Sequence, residues 1–430
     1  MLFEPFDEED HILTAFISQE NFQKIISLNL NKNIRVLKYP ENASDCYNQT
    51  HDEKYENINY AIKYDKILKE DYIHRKGEDS FIYTKTEVIA KQRAVSSYLI
   101  KKIGSYLLKG RSIMNISLPI NIFDSRTLLE QWVWQNGISS QIFQSLNPNL
   151  SPIEKLKFST CYAISKFYLT GAPLKPFNPI LGETFQAKLN NSTYYLEQTS
   201  HHPCIMNFYA VQPYNTIYGY EQADASTSAN SVTVHYKGKL TVEFKDKTKN
   251  VIVYPTILLN GTMLGTRKLC FKRKMCVYDR ENDLISVIAI APSENDKRNI
   301  ISKMLFNYYS KDLYPDYFKG GIYRISQLNI RNFSCDMPDK INIEKNAQCL
   351  SEIEGEFMSY INFDKRCYWR FGEKEFPQMK RDTFTLPSDS CYRDDLIWFR
   401  ENDLELSQRF KVFMEEKQRK DKSIRERKKL

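Results

Sequence analysis

The sequence predicts a mainly β protein of the α+β class, in which a large antiparallel sheet closes into a barrel flanked by helices. Three observations predict it. Past residue 180 apolar residues alternate with period two, strand-like runs follow one another without helical crossovers, and helical periodicity is confined to stretches on either side. A meander of many strands escapes exposed edges by closing, and a barrel beyond about eight strands encloses space that its own side chains cannot fill.

Residues 1–90 are rich in Asn, Asp, Glu and Lys, with short apolar islands such as FQKIISLNL, and read as a polar extension that is partly ordered or wraps the main domain. From Val95 the spacing predicts a basic amphipathic helix: Tyr98, Leu99, Ile103, Tyr106 and Leu107 recur at three- and four-residue intervals, punctuated by Lys101, Lys102, Lys109 and Arg111. Such a helix either docks on a core or lies in a headgroup layer. In SPIEKLKFSTCYAISKFYL, Ser151 as cap, Pro152 at the first position and Glu154 three residues on form a capping-box pattern.

Strands follow. In SVTVHYKGKLTVEF, Val232, Val234, Tyr236, Leu240, Val242 and Phe244 share one parity, as one buried face requires. VIVYPTILL, KLCFKRKMCVY, LISVIAIAP, GGIYRISQLNI and GEFMSYINF continue the pattern, and helix returns from Asp394.

Composition removes several function classes. Aromatic residues make up 13% of the 430 residues, with 28 Tyr and 25 Phe against 14 Gly, which favours an ordered globule. The net charge of +8 is thinly spread and suits weak attraction to anionic surfaces, not nucleic-acid binding. Nine scattered cysteines without a C-x-x-C pair argue against zinc and a disulfide framework, and point to a reducing, cytoplasmic setting. The acidic start MLFEPFDEED does not resemble a signal peptide, and no apolar window is long enough to span a bilayer, so membrane contact is expected to be peripheral and transient.

The most informative residues are few. His201 and His202 stand together before Pro203 in YLEQTSHHPCIMNFYA, in a chain with six histidines. No HExxH, G-x-S-x-G or paired-carboxylate pattern accompanies them, so neither a metal site nor catalysis is supported and no cofactor is expected. Two imidazoles with ordinary values near 6.5 suit a phosphate monoester, whose second ionisation lies near 6; the plainer reading is one histidine buried and hydrogen-bonded with its neighbour exposed. Lys411, Glu415 and Arg419 fall at four-residue intervals on one helical face, beside Phe410, Phe413 and Met414.

EQTSHHP resembles the EQVSHHPP fingerprint of the oxysterol-binding-protein-related family, and LKPFNPILGETF resembles that family's KPfNPllGEt segment. SYLLKGRSIMNISLPINIFDSRTLLEQ is similar to its lid and following segment, and the stretch from Leu386 to Arg419 is similar to a late segment ending in a K-x3-E-x3-R helix. Thr199 and Cys204 depart from the fingerprint. The resemblance implies a near-closed barrel around a hydrophobic tunnel, with a lid at about 91–118, a helical segment at about 119–172, the barrel at about 173–335 and a C-terminal region with helices at about 336–430.

By motif position it implies that His201, His202 and Arg419 hold a phosphate, while Lys175, Asn178, Lys411 and Glu415 meet the rest of a phosphatidylinositol 4-phosphate headgroup. It also implies that Tyr98, Leu99, Ile103, Tyr106 and Leu107 belong to the lid. The expected activity is non-enzymatic transfer of that lipid, in exchange for a sterol or phosphatidylserine, by a monomer working at anionic membrane surfaces. The alternative is a phosphoinositide or sterol sensor or scaffold without net transfer.

Overall fold

The computed structural model describes residues 2–3, 36–37, 72–73, 80–107, 117–143, 149–169, 174–201, 203–228, 230–272, 274–290, 314–330, 341–344, 346–371, 379–381 and 386–427. In chain order its main elements are β1 (Tyr72–Ile73), β2 (Phe81–Tyr83), helix α1 (Thr86–Leu107), β3 (Phe123–Thr127), α2 (Leu128–Ile142), α3 (Pro152–Ser165), β4 (Lys175–Phe177), β5 (Thr184–Leu189) and β6 (Ser192–His201). Then come β7 (Cys204–Val211), β8 (Asn215–Ser228), β9 (Ser231–Phe244), β10 (Lys249–Val253), β11 (Thr256–Asn260), β12 (Lys268–Lys272), β13 (Lys274–Asp279), β14 (Leu284–Ile290) and β15 (Tyr317–Arg324). The chain ends with β16 (Leu328–Ile330), β17 (Ile341–Ile343), β18 (Ser351–Glu356), β19 (Tyr360–Phe363), β20 (Arg366–Arg370), β21 (Met379–Arg381), α4 (Asp394–Arg400) and α5 (Leu404–Arg427).

Strands β5 to β9 form an antiparallel meander. At β9 the sheet divides. Its first half pairs with β11 and leads through β12 to β2 and β1, while its second half pairs with β10 and leads through β13, β14, β15, β18 and β19 to β20. The chain then returns to pair β21 with β5, and the sheet wraps round as an antiparallel barrel. The long β8–β9 ribbon bends at Gly219 and Gly238, with φ of +152° and +121°. A Cβ at either position would collide with the facing strand, at the Lys239 carbonyl oxygen for Gly219 and at that of Tyr220 for Gly238.

The sheet reaches beyond residues 173–335. Phe81–Tyr83 and the short strands between Ser351 and Arg381 belong to it, and Phe81 and Tyr83 are buried. Strands this short carry too little alternation for periodicity alone to assign them.

Helices α2 and α3 do more than flank the sheet. Both are buried on nearly every side that is described, as helices inside a barrel must be. Trp132 of α2 stacks on Phe208 of β7 at 4.3 Å, Phe143 meets Phe244 of β9 at 6.2 Å, and Phe167 after α3 meets Phe271 of β12 at 4.8 Å. Polar ties hold α3 as well: the Lys155 ammonium pairs with Asp246, that of Lys157 reaches Asp364 at 3.3 Å and the Tyr368 hydroxyl at 3.2 Å, and Asn250 donates to Ser159 at 3.0 Å.

The caps differ from the sequence expectation. At α3 the Ser151 hydroxyl accepts from the Glu154 amide at 3.3 Å, but the Glu154 carboxylate goes to Tyr368 and Lys157. A complete capping box stands at α2, where Thr127 and Glu130 satisfy each other's backbone amides. Helix α1 begins at Thr86, well before the apolar period becomes visible at Val95. No helix among the described residues is long and apolar enough to cross a membrane.

Candidate functional site

The site assembles where β3, β4 and α5 meet. Phe123 pairs with Lys175 in a short parallel ladder, which puts the Lys175 ammonium 4.8 Å from the centre of the Phe123 ring. The Lys411 ammonium, arriving from α5, sits 5.3 Å from the same ring. Two cations from distant parts of the chain thus converge on one aromatic platform. Lys175 donates to the Asn178 side chain at 2.6 Å and the Pro176 carbonyl at 3.2 Å, while Lys411 donates to Glu415 at 2.6 Å and Ser117 at 3.2 Å. Burial first, and the nearby Lys411 second, bring the Lys175 ammonium down to about 8. The arrangement stores positive charge where water is scarce.

The polar face of α5 is the buried one. Ser407, Lys411 and Gln418 are sequestered, whereas Phe410, Phe413 and Met414 are half-buried. Gln408 accepts from the Ile120 amide at 2.8 Å and Ser407 donates to the Asp395 carbonyl at 2.6 Å, which fixes the rotation of the helix. Arg419, one turn beyond Glu415, lies 3.6 Å from that carboxylate, with its side chain 55% exposed at the rim.

Behind the platform stands a buried ion cluster centred on Arg393. Its guanidinium donates to the Asn178 carbonyl at 2.7 Å, to Glu183 at 2.9 Å and to Asp395 at 2.7 Å, with a further bond to Asp395 at 3.0 Å. Glu183 also accepts from the Ile180 amide at 2.8 Å, so both ends of the Asn178–Glu183 loop are tied to one arginine. Burial pushes the Glu183 carboxyl up to about 7 against the pull of Arg393. The same loop is stitched to β6 by backbone bonds from Gly182 to Gln198 at 2.8 Å and from Gln198 to Glu183 at 2.9 Å.

Of the residues expected from the sequence, Lys175, Asn178, Lys411 and Glu415 come together directly, and Arg419 joins through Glu415. His201 is the last residue of β6 and pairs with Cys204 across the turn. The Cys204 thiol is raised by burial, accepts from Gln198 at 3.1 Å and feels the Lys175 charge. His202 lies outside the described residues. So do the side chains of Tyr98, Leu99, Ile103, Tyr106 and Leu107, although all five belong to the helical backbone of α1.

Sequence reasoning missed Phe123, Ser117, Arg393 and Asp395. The only signal for Arg393 was an arginine immediately before two acids in RDDLIWF, which reads as an exposed helix start. No group of three or more His, Cys, Asp or Glu side chains among the described residues could hold a metal ion.

A protein-family model described as oxysterol-binding protein matches residues 105–430. Oxysterol-binding protein 9 of Dictyostelium discoideum is 30% identical over 363 residues, which take in 83% of this chain and 81% of that protein. The human oxysterol-binding protein-related protein 5 is 25% identical over 222 residues, 48% of this chain and 24% of the longer human protein. Among solved structures, the Osh3 ORD of Saccharomyces cerevisiae in complex with PI(4)P has a TM-score of 0.55 at 18% identity, covering 77% of this chain and 84% of its own. The Osh1 ORD domain in complex with cholesterol has a TM-score of 0.56 at 16% identity, with 79% and 89% covered. These two show the same fold.

Proposed function

The chain belongs to the oxysterol-binding protein family, and from that premise we infer that it is a lipid carrier which takes phosphatidylinositol 4-phosphate by its headgroup and exchanges it for a sterol or phosphatidylserine. One observation carries this reading: Lys175 and Lys411 converge over Phe123, with Asn178 and Glu415 as their partners. A phosphorylated ring entering here meets two cations that are already desolvated, together with an amide and a carboxylate able to bond ring hydroxyls. Arg419 at the rim, together with His201 and its sequence neighbour His202, would hold the phosphate. Such a site works by binding, and no bond of the lipid is made or broken.

Tail and headgroup divide the labour. The apolar interior beside the site takes the tails, which a bilayer solvates equally well, so headgroup contacts carry the selection. Each charge-assisted hydrogen bond contributes about 1.5–3 kcal/mol. Removing the charge of Lys175 and Lys411 together should therefore lower headgroup affinity about a hundredfold or more.

The test is extraction of phosphatidylinositol 4-phosphate from liposomes by the wild type, by Lys175→Ala/Lys411→Ala and by His201→Ala/His202→Ala, with sterol and phosphatidylserine as parallel cargoes. Loss of phosphoinositide extraction in both variants is expected. Equal extraction by all three proteins would refute the site. Binding without accelerated transfer between vesicles would favour the sensor or scaffold reading.

A further inference from the structure

The loop between β11 and β12 has an unusual division of effort. Asn230, in the turn between β8 and β9, accepts the Met263 amide at 2.8 Å and the Leu264 amide at 3.0 Å on its side chain, and donates to the Leu264 carbonyl at 3.0 Å. Its own carbonyl accepts from Gly261 at 3.0 Å and Thr262 at 3.2 Å. Arg267 donates to the Gly261 carbonyl at 3.1 Å and to Gln92 of α1 at 2.5 Å, and Arg93 of α1 donates to the carbonyls of Gly261 and Gly265. Gly261 and Gly265 adopt φ of +71° and +76°, the left-handed region that favours glycine, and a Cβ on Gly261 would collide with the Thr266 carbonyl oxygen. The backbone is thus held from three sides. Yet its large apolar side chain, Leu264, is 75% exposed, far more than any other large hydrophobic residue described.

Register places this loop at the headgroup end of the barrel. The turn after His201 leads into β7, whose Ile205 pairs with Gln222 of β8. From there β8 runs on past Gln222 to Ser228, about 20 Å at the rise of a strand. Ser231, just beyond its turn, pairs with Asn260, the residue before the loop. The loop therefore projects past the site, beside the N-terminal half of α1. Among the described residues of the loop and the start of that helix, Lys85 and Lys91 are exposed and Lys268 half-buried against the carboxylate of Glu87, while Arg93 and the buried Arg267 are taken up by the clamp.

We propose that the Gly261–Arg267 loop is a membrane wedge, in which Leu264 inserts into an anionic lipid surface while the exposed Lys85 and Lys91 beside it engage headgroups. A rigid apolar tip in a cationic collar fits that partner: insertion immobilises nothing that is not already ordered, and the charges favour an anionic leaflet. The clamp from Gln92 and Arg93 joins the wedge to α1, so the loop and the start of the helix arrive at the surface as one unit. The proposal rests on the lipid-carrier reading for its biological sense, but it can be tested without it.

Leu264→Trp supplies a fluorescent tip in an exposed position. With phosphatidylcholine vesicles containing phosphatidylserine, its emission should shift to the blue and be quenched by brominated acyl chains, with little change on neutral vesicles. Leu264→Asp should reduce flotation with the anionic vesicles about tenfold, the worth of one buried leucine, while binding of detergent-solubilised phosphoinositide stays at the wild-type level. If Leu264→Asp floats as the wild type does and the tryptophan stays solvent-exposed on bound protein, the wedge is wrong. If the tip inserts but no lipid is bound in detergent, the wedge stands and the headgroup site is what fails.

Discussion

Lys175 shows how a single side chain can be tuned by its surroundings. Burial and the neighbouring Lys411 bring its ammonium down to about 8, below the ordinary lysine value in water. The folded, empty site therefore holds that proton at a cost, which disappears as the pH rises above the folded value toward the unfolded one. A bound phosphate would reverse the sign by holding the proton on. Binding of a soluble phosphoinositide should therefore take up a proton near pH 8 and weaken as the pH climbs beyond it. Calorimetry in two buffers of different ionisation enthalpy measures the uptake, and Lys175→Met should abolish it. Arg393 offers a second test at this scale, because Arg393→Met leaves Glu183 and Asp395 buried without their cation. The expected cost is about 3–5 kcal/mol in denaturant unfolding, and a change below about 1 kcal/mol would mean the cluster does not hold the loop.

Elements repeat the lesson with their ends and faces. The Ser151-Pro152 start of α3 was legible because a cap and a proline are local signals, whereas the diversion of Glu154 to Tyr368 depends on a strand far along the chain. The stronger cap, Thr127 with Glu130, was overlooked because it follows a short strand with no apolar period to announce a helix. Its Glu130 also receives Arg400 of α4 at 3.0 Å, so this box joins two distant elements. Thr127→Ala should cost about 1 kcal/mol, and Glu130→Ala clearly more, since it also orphans a buried arginine; thermal unfolding of the two variants would rank them. For α5, four-residue spacing placed Lys411, Glu415 and Arg419 on one face, but spacing alone does not say which face turns inward. Here the polar one does, because Ser407, Gln408 and Lys411 find partners on the segments around Ile120 and Asp395.

At the scale of the molecule, a barrel of many strands encloses more than those strands can fill, and α2 and α3, buried on nearly every described side, occupy part of that space. Trp132 stacks on Phe208 inside the sheet, while Tyr209 stands on the outer face of the same β7 strand. Trp132→Ala should therefore cost about 3–5 kcal/mol and Tyr209→Ala under about 1 kcal/mol, read from denaturant midpoints. Equal costs would argue against helices packed inside the sheet. The sequence by itself determined the sheet class, the strand alternation, the return to helix at Asp394 and the motifs bearing Lys175, Asn178, His201 and Lys411, because period, turn chemistry and short motifs are properties of neighbouring residues. Only the tertiary structure decided that Phe123 would be the platform for two lysines, that Arg393 would stand behind Asn178 and that Leu264 would stand exposed on a loop held by Asn230. Those depend on strand register and on the docking of α5, and both are settled by burial between segments far apart in the chain.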